Sequence, residues 1–588
     1  MSRAQDEEGP GAGRGSGAGM IRGMAAHDEL LALADEYWEG VLVASPSFAT
    51  LLGDRRFDDR IEDLSAEADE ARRAVLVDQL ARVDAVDTDQ LDRTDRVTHS
   101  LLRGELAQTI EGLVLRLTEL ASDQMDGVHA GLLTMAPQVD APTPASAAAL
   151  VERHRQIGTM LDQAIERFRA GLAAGRTPAR IVVDRSLNQL DGYLASDLAG
   201  DPFVTFPGPA EWTEGDAAEA AWREELTEVA RDVIRPAFQR YRDVLAAELL
   251  PAARPDERSG LSWLDDGPAI YRALIHHHTT LDDLGAEEIH QIGLAEHARL
   301  ADEYATVGAR LFGTSEPAEI FERLRDDPAL RYDRSDEMMA DAQRYLDGAR
   351  SVMGDWFGRL PQSDCDIKPV PEFLAADAPA AYYFPPAADG SRPGAYFVNN
   401  ANPGEHNRYE MASVAYHEAI PGHHLQLTIA NELTELPRFQ RFSFGNTAFV
   451  EGWALYTERL ADEMGLYAND LELIGMLAAD SWRSARLVVD TGLHALGWSR
   501  QQAIDFMIAN VPVGVEQIEI EVDRYIAIPG QALAYKVGQL EIARLRGLAG
   551  ERRNGDLDVK AFHDVVLGSG SVSLPALRRM VDDWLTAA

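Results

Sequence analysis

The 588-residue chain contains a single cysteine, Cys365. No intramolecular disulfide can close, and no cysteine-rich zinc cluster can form. A reducing, cytoplasmic setting is the expectation. Positive charge is also scarce: 55 Lys plus Arg face 97 Asp plus Glu, for a formal net charge of −42. Nucleic acid is thereby excluded as a partner, because phosphate binding needs a basic surface. An anionic membrane is disfavoured for the same reason. No apolar run reaches the roughly 18 residues of a membrane-spanning helix. Residues 1–24 lack the apolar centre of a signal peptide and read as a disordered leader, with Met20 or Met24 as alternative starts. Neither a G-x-S-x-G nor a P-loop pattern occurs, so a serine nucleophile elbow and a nucleotide cradle are both unsupported.

What is present is helix. Hydrophobic residues make up 46% of the chain, enough for a large core. Apolar positions recur at helical spacing through most of residues 27–253. Pro142 and Pro144 precede a helix over 146–174, and Ala217–Leu250 reads as one long helix with Tyr241, Val244, Leu245 and Leu249 on a shared face. Thr279-Thr280 with Asp283 resembles a helix start, and helices resume at Ala286–Val307, Pro317–Leu324 and Ser335–Phe357. His276-His277-His278 sits on such a helix, where consecutive side chains diverge by about 100° and rarely share a metal. Between Lys368 and Asn402 the texture changes. Tyr382-Tyr383-Phe384 and Ala395-Tyr396-Phe397-Val398 flank a turn-rich connector and predict a small β-hairpin or edge pair. A free edge there could hold an extended peptide.

Chemistry concentrates in His417-Glu418-Ala419-Ile420-Pro421-Gly422-His423-His424. Neutral imidazole is a favoured zinc ligand, and a carboxylate beside a metal can take a proton from water. The regular form, H-E-x-x-H, puts two imidazoles at i and i+4. Here the i+4 position is Pro421. On an unbroken helix His424 would lie about 10.5 Å along the axis from His417, too far for zinc–nitrogen bonds of about 2.0–2.1 Å. Pro421-Gly422 supplies a distortion, since Pro removes a donor and Gly accepts unusual dihedrals. A bulge of Ala419, Ile420 and Pro421 would bring a later imidazole level with His417. His423 is the first candidate and His424 the second.

The third ligand is expected from Glu451-Gly452-Trp453-Ala454-Leu455-Tyr456. Glu451 would complete a His, His, Glu set, leaving a fourth position for water. Glu458, on the same helical face, could hydrogen-bond a ligand histidine, although an exposed helical acid is the plainer reading. Further on, Arg524-Tyr525 precedes Pro529-Gly530-Gln531 and a helix carrying Tyr535 and Lys536. A phenol or a cation can stabilise an oxyanion; Tyr535 is the first choice, then Tyr525, with Lys536 in support. Arg524, Arg392 or Lys536 are candidates for a substrate carboxylate, and Tyr396 and Gln531 for other substrate contacts.

Three motifs carry a family resemblance: H-E-x-x-P-G-H-H-L-Q at His417–Gln426, E-G-W-A-L-Y at Glu451–Tyr456, and R-Y-x-x-x-P-G-Q-A-L-x-Y-K-x-G at Arg524–Gly538. Together they resemble a large, mostly bacterial family known as a domain of unknown function. Gly394–Asn399 and Phe562-His563-Asp564 fit the same likeness, which covers nearly all of the chain after the leader. That family is similar to the Glu-liganded zinc peptidases, such as carboxypeptidase Taq, angiotensin-converting enzyme and neurolysin. The resemblance implies a mainly α, two-lobed body around a deep channel, with a short sheet near the metal. It divides the chain after the leader into a helical lobe, about 25–360, and a metal-site lobe, about 361–588, of one catalytic domain. It also implies a preference for short peptides. The expected activity is zinc-dependent hydrolysis of a peptide, with His417, His423 and Glu451 holding one divalent ion and Glu418 as general base. The alternatives are an amidase acting on a non-peptide and a binding protein of the same fold without turnover.

Overall fold

The structure, a computed structural model, describes residues 15–212, 215–371, 375, 379–386, 392–443 and 445–587. It is a mostly helical body, with three short strands among the described residues. The first helix runs Gly15–Ala44 and so begins inside the segment expected as a leader; residues 1–14 lie outside the described residues. Pro144–Ala173 opens with a capping box in which Thr143 and Ser146 satisfy each other's backbone N–H groups. It buries Leu150, Ile157, Leu161 and Phe168. The long helix expected over 217–250 is observed as consecutive helical segments from Asp216 to Ala252, with wider turns at Ala230–Ile234 and Leu245–Leu249. Thr280 does not start a helix. It ends Gly267–Thr279 in a left-handed conformation at φ 60°, and its hydroxyl accepts from Leu574 N–H.

Core packing joins distant parts of the chain. The largest core joins residues 26–106 to residues 261–581, and a second is built within 136–249. A third joins Ala179 and Val182 to residues 485–532. The N-terminal helices thus share a core with the region that carries the His and Glu motifs. Among the described residues no helix is long and apolar enough to cross a membrane.

Strands β1 (Cys365–Pro369), β2 (Ala381–Phe384) and β3 (Gly394–Val398) form one sheet in the order β1-β3-β2. β2 and β3 are the expected antiparallel pair, with Tyr383 opposite Tyr396. The unexpected member is β1, which lies parallel to β3 on its other side. β3 is thus the middle strand, and most of the connector from 385 to 393 lies outside the described residues.

Seven helices frame the site: α1 Ala286–Leu311, α2 Met411–Glu418, α3 His423–Glu432, α4 Thr447–Glu463, α5 Asp470–His494, α6 Val515–Ala527 and α7 Leu533–Arg552. α5 packs along α1, and α4 along α7. The second packing is unusually close because glycines meet across it. A Cβ on Gly452 would lie 2.4 Å from the Gly538 Cα, and one on Gly538 would lie 1.8 Å from the Ala448 carbonyl oxygen.

Candidate metal centre

The H-E-x-x-P-G-H-H run is a helix break, not a bulge within one helix. α2 ends at Glu418 and α3 begins at His423. Ala419 (φ −99°, ψ −110°) and Gly422 (φ −80°, ψ −128°) carry the turn between them. A Cβ at residue 422 would lie 1.9 Å from the His417 carbonyl oxygen and 2.4 Å from that of Tyr416. Only glycine lets the chain double back so closely.

A break exposes backbone groups that must be satisfied once buried. α4 supplies partners. The Trp453 indole N–H donates to the Pro421 carbonyl at 3.0 Å, and the Thr457 hydroxyl donates to the Tyr416 carbonyl at 3.2 Å. The break itself returns His424 N–H to Ala419 O at 3.0 Å. Trp453 is fully buried, so the segment Glu451–Glu458 braces the turn as well as facing it.

Three ligand-type atoms, one each from His417, His423 and Glu451, lie within 4.8 Å of one another, the one such group of three among the described residues. The Glu451 Oε2 atom is 3.5 Å from His417 Nε2 and 3.5 Å from His423 Nε2. That is too long for good N–H···O bonds, and Oε2 is buried with no hydrogen-bond partner. Atoms each about 2.1 Å from a tetrahedral ion would lie about 3.4 Å apart. The donor set, two imidazoles and a carboxylate, and the orphaned oxygen between them fit a single zinc-type cation.

Glu458 belongs to the site, contrary to the plainer reading of it as an exposed acid. It is buried, and its Oε1 accepts from His417 Nδ1 at 2.8 Å. A hydrogen bond at Nδ1 makes Nε2, on the Glu451 side, the nitrogen that would face a cation. Burial alone would depress the His417 pKa, but the close carboxylates of Glu451 and Glu458 and the charge of Glu418 carry it up to about 10. Burial opposes the charge on Glu451, yet the two imidazoles hold its carboxyl well below the usual range. Glu418 is half-buried at the end of α2, and burial raises its carboxyl despite the opposing pull of His417 and His423.

His424 turns away from the group. Its Nε2 donates to the Ser363 carbonyl at 3.1 Å, and its Nδ1 accepts from the Tyr383 hydroxyl of β2 at 2.9 Å. It anchors the sheet, and burial pushes its pKa down to about 4.

Several expected substrate residues are engaged elsewhere. Tyr525 is fully buried; its hydroxyl donates to Glu521 at 2.7 Å and accepts from Arg486 and Trp482, leaving no O–H for an oxyanion. Lys536 is buried in ion pairs with Asp480 and, at 2.9 Å, with Glu296. Tyr396 is fully buried in the middle strand, its hydroxyl 3.7 Å from Met411 Sδ. Arg392 donates to the Pro385 and Pro393 carbonyls. Tyr535, Arg524 and Gln531 do come together: Arg524 donates to Gln531 at 3.0 Å and lies 3.5 Å from the Tyr535 hydroxyl. Arg486 on α5 lies over the Tyr535 ring, its guanidinium carbon 4.6 Å from the ring centroid, and no local motif announces it.

A mostly helical body holding a buried His, His, Glu group is the class these observations define. The chain belongs to the bacterial protein family of unknown function DUF885, whose model matches residues 46–581. No protein of curated function matches it. It is similar to a crystal structure described as "the putative lipoprotein from Colwellia psychrerythraea", at 27% identity and TM-score 0.88, covering 96% of this chain and 100% of that one. A structure described as "a putative lipoprotein of unknown function from Shewanella oneidensis" shares the fold at 19% identity and TM-score 0.72, covering 93% of this chain and 98% of that one. These descriptions overturn the cytoplasmic expectation. One cysteine excludes an internal disulfide; it does not specify a compartment.

Proposed function

We propose that the chain is a metal-dependent hydrolase of short peptides. His417, His423 and Glu451 would hold one divalent cation, zinc by the donor set. Such an ion polarises a carbonyl and makes water nucleophilic at neutral pH. Glu418 accepts the proton of the attacking water and passes it to the departing amine, and its burial-raised carboxyl suits that exchange. Glu458 holds His417 in one tautomer. Tyr535 remains the oxyanion candidate, since its hydroxyl is not taken up as that of Tyr525 is. The lipoprotein description of the Colwellia relative supports an activity outside the cytoplasm.

The observation that carries the reading is the convergence of His417, His423 and Glu451 on one point. Elemental analysis of the purified protein should find about one zinc per chain. Digestion of a peptide library should be slowed by about 10²–10⁴-fold in Glu418→Gln with zinc retained. Absence of zinc, or cleavage unaffected by Glu418→Gln, would refute it. Stoichiometric zinc without any cleavage would leave a binding protein of the same fold.

A further inference from the structure

A cavity of about 190 Å³ opens between the turn that carries Asp123 and Asp126, the helix Gly267–Thr279 and the end of α6. None of His417, Glu418, His423, Glu451, Arg524 and Tyr535 lines it. Its volume lies below the roughly 300–1,000 Å³ of sites for drug-sized ligands, too little for a nucleotide or a large cofactor. Much of the wall is aliphatic, from side chains such as Leu120, Ile270, Leu274 and Ile526. Charges of both signs line it as well. Asp123 is only 5% exposed, and its Oδ1 accepts from the Met125 and Asp126 N–H groups. Among the described residues no basic side chain lies within 4.0 Å of Asp123 or Asp126; Arg524 reaches Asp126 through its charge alone. Arg254 is in the mirror condition. Its Nε and Nη2 donate to the Arg258 and Ser259 carbonyls, its Nη1 is buried without a partner, and no described carboxylate lies within 4.0 Å. Burial lifts the Asp123 carboxyl to about 6 and lowers the Arg254 guanidinium to about 10. His278 adds a buried Nδ1 with no partner. Unpaired buried charges are costly, and here both signs share one apolar cavity without pairing each other.

We propose that this cavity binds a free aliphatic amino acid, its ammonium group on Asp123 and Asp126, its carboxylate on Arg254 and its hydrocarbon part against Leu120, Ile270, Leu274 and Ile526. The assignment rests on the cavity alone and not on the hydrolase reading. A dipolar ligand satisfies both charged parts of the wall at once. A plain amine would leave Arg254 unpaired, and a plain carboxylic acid would leave the two aspartates unpaired. Arg254 is already held by two carbonyls, so its Nη1 meets a carboxylate with little further loss of side-chain freedom. Ile528 and Pro529 also line the cavity, so the ligand lies against the turn that precedes Gln531 and Tyr535.

The probes are leucine, isoamylamine, which is leucine without its carboxylate, and isocaproate, which is leucine without its amine. Binding to the full-length protein is read by isothermal titration calorimetry at neutral pH. Leucine should bind about 10–100-fold more tightly than either analogue. Asp126→Asn and Arg254→Gln should each remove most of that advantage. Asp126 is exposed at the mouth of the cavity, so its variant keeps the fold; the thermal midpoint checks Arg254→Gln, and if that variant fails to fold the analogues and Asp126→Asn decide. Free amino acids also chelate zinc, so the measurement is repeated in His423→Ala, where leucine binding should persist. No leucine binding, equal affinity for leucine and either analogue, an unchanged affinity in Asp126→Asn, or loss of binding in His423→Ala would each overturn the proposal.

Discussion

Glu458 shows how much a single buried hydrogen bond can decide. Its bond to His417 Nδ1 orients the ring and fixes which nitrogen is free. Glu458→Gln should weaken zinc affinity by about 10–100-fold, read by competition with a chromophoric chelator; an unchanged affinity would return Glu458 to the role of a packed acid. Gly422 is equally decisive. Gly422→Ala should cost about 1–3 kcal/mol or more and lower zinc content, because its Cβ would overlap the His417 carbonyl. These residues differ in how far they could be read beforehand. His417, His423 and Glu451 were legible from residue type and from the Pro-Gly interruption. Glu458 was visible at seven positions after Glu451, but its burial was not, since that depends on α2 lying across α4. Lys536 and Tyr525 misled for the complementary reason: their partners Asp480, Glu296 and Glu521 come from other helices or an earlier turn, and nothing local announces the ion pairs.

Between elements, the contact of α4 with α7 depends on the glycines facing across it. Gly538→Ala should lower the denaturation midpoint, at a cost of about 1–3 kcal/mol. Gly547→Ala on the same helix meets nothing within 4 Å and should stabilise by about 0.5–1 kcal/mol. Effects of like sign in urea titrations would refute the close-packing account. Asp490 ties α5 to two neighbours, accepting from Tyr271 O–H at 2.6 Å and from Gly530 N–H at 3.1 Å. Burial pushes its carboxyl from 3.8 up to about 7, against the pull of those bonds. The folded state therefore holds a proton here that the unfolded chain releases near pH 4. The contribution is complete below that pH and is lost as pH rises through about 7, a change of roughly 4 kcal/mol. Asp490→Asn keeps an acceptor and removes the titration, so its stability relative to the parent should improve from pH 5 to pH 8. A pH-independent difference would contradict this assignment. Helices such as Pro317–Asp326 and Ser335–Trp356 were legible to within two residues from apolar spacing and flanking signals. β1 was not, because five residues containing Lys368 and ending in Pro369 carry little strand signal before β3 pairs with them.

Across the whole molecule, a cation bound to the folded state alone must raise its stability. Saturating the metal-free protein at about a thousand times the dissociation constant should add about 4 kcal/mol, or about 3 °C in midpoint for a chain of this length. His423→Ala should abolish the shift, whereas His424→Ala should retain most of it; the reverse would exchange their roles. The assignment of residues to cores could not be read in advance, because the largest core closes over residues separated by more than 150 positions. One further consequence comes from two adjacent rings. His423 faces the cation cage while His424 is tethered to Tyr383 on an outer strand of the sheet. Loading the cage should therefore steady that strand, and a chain laid along the strand should tighten the cage by the same factor. A spectroscopic label near Tyr383 would then report metal occupancy without touching any ligand.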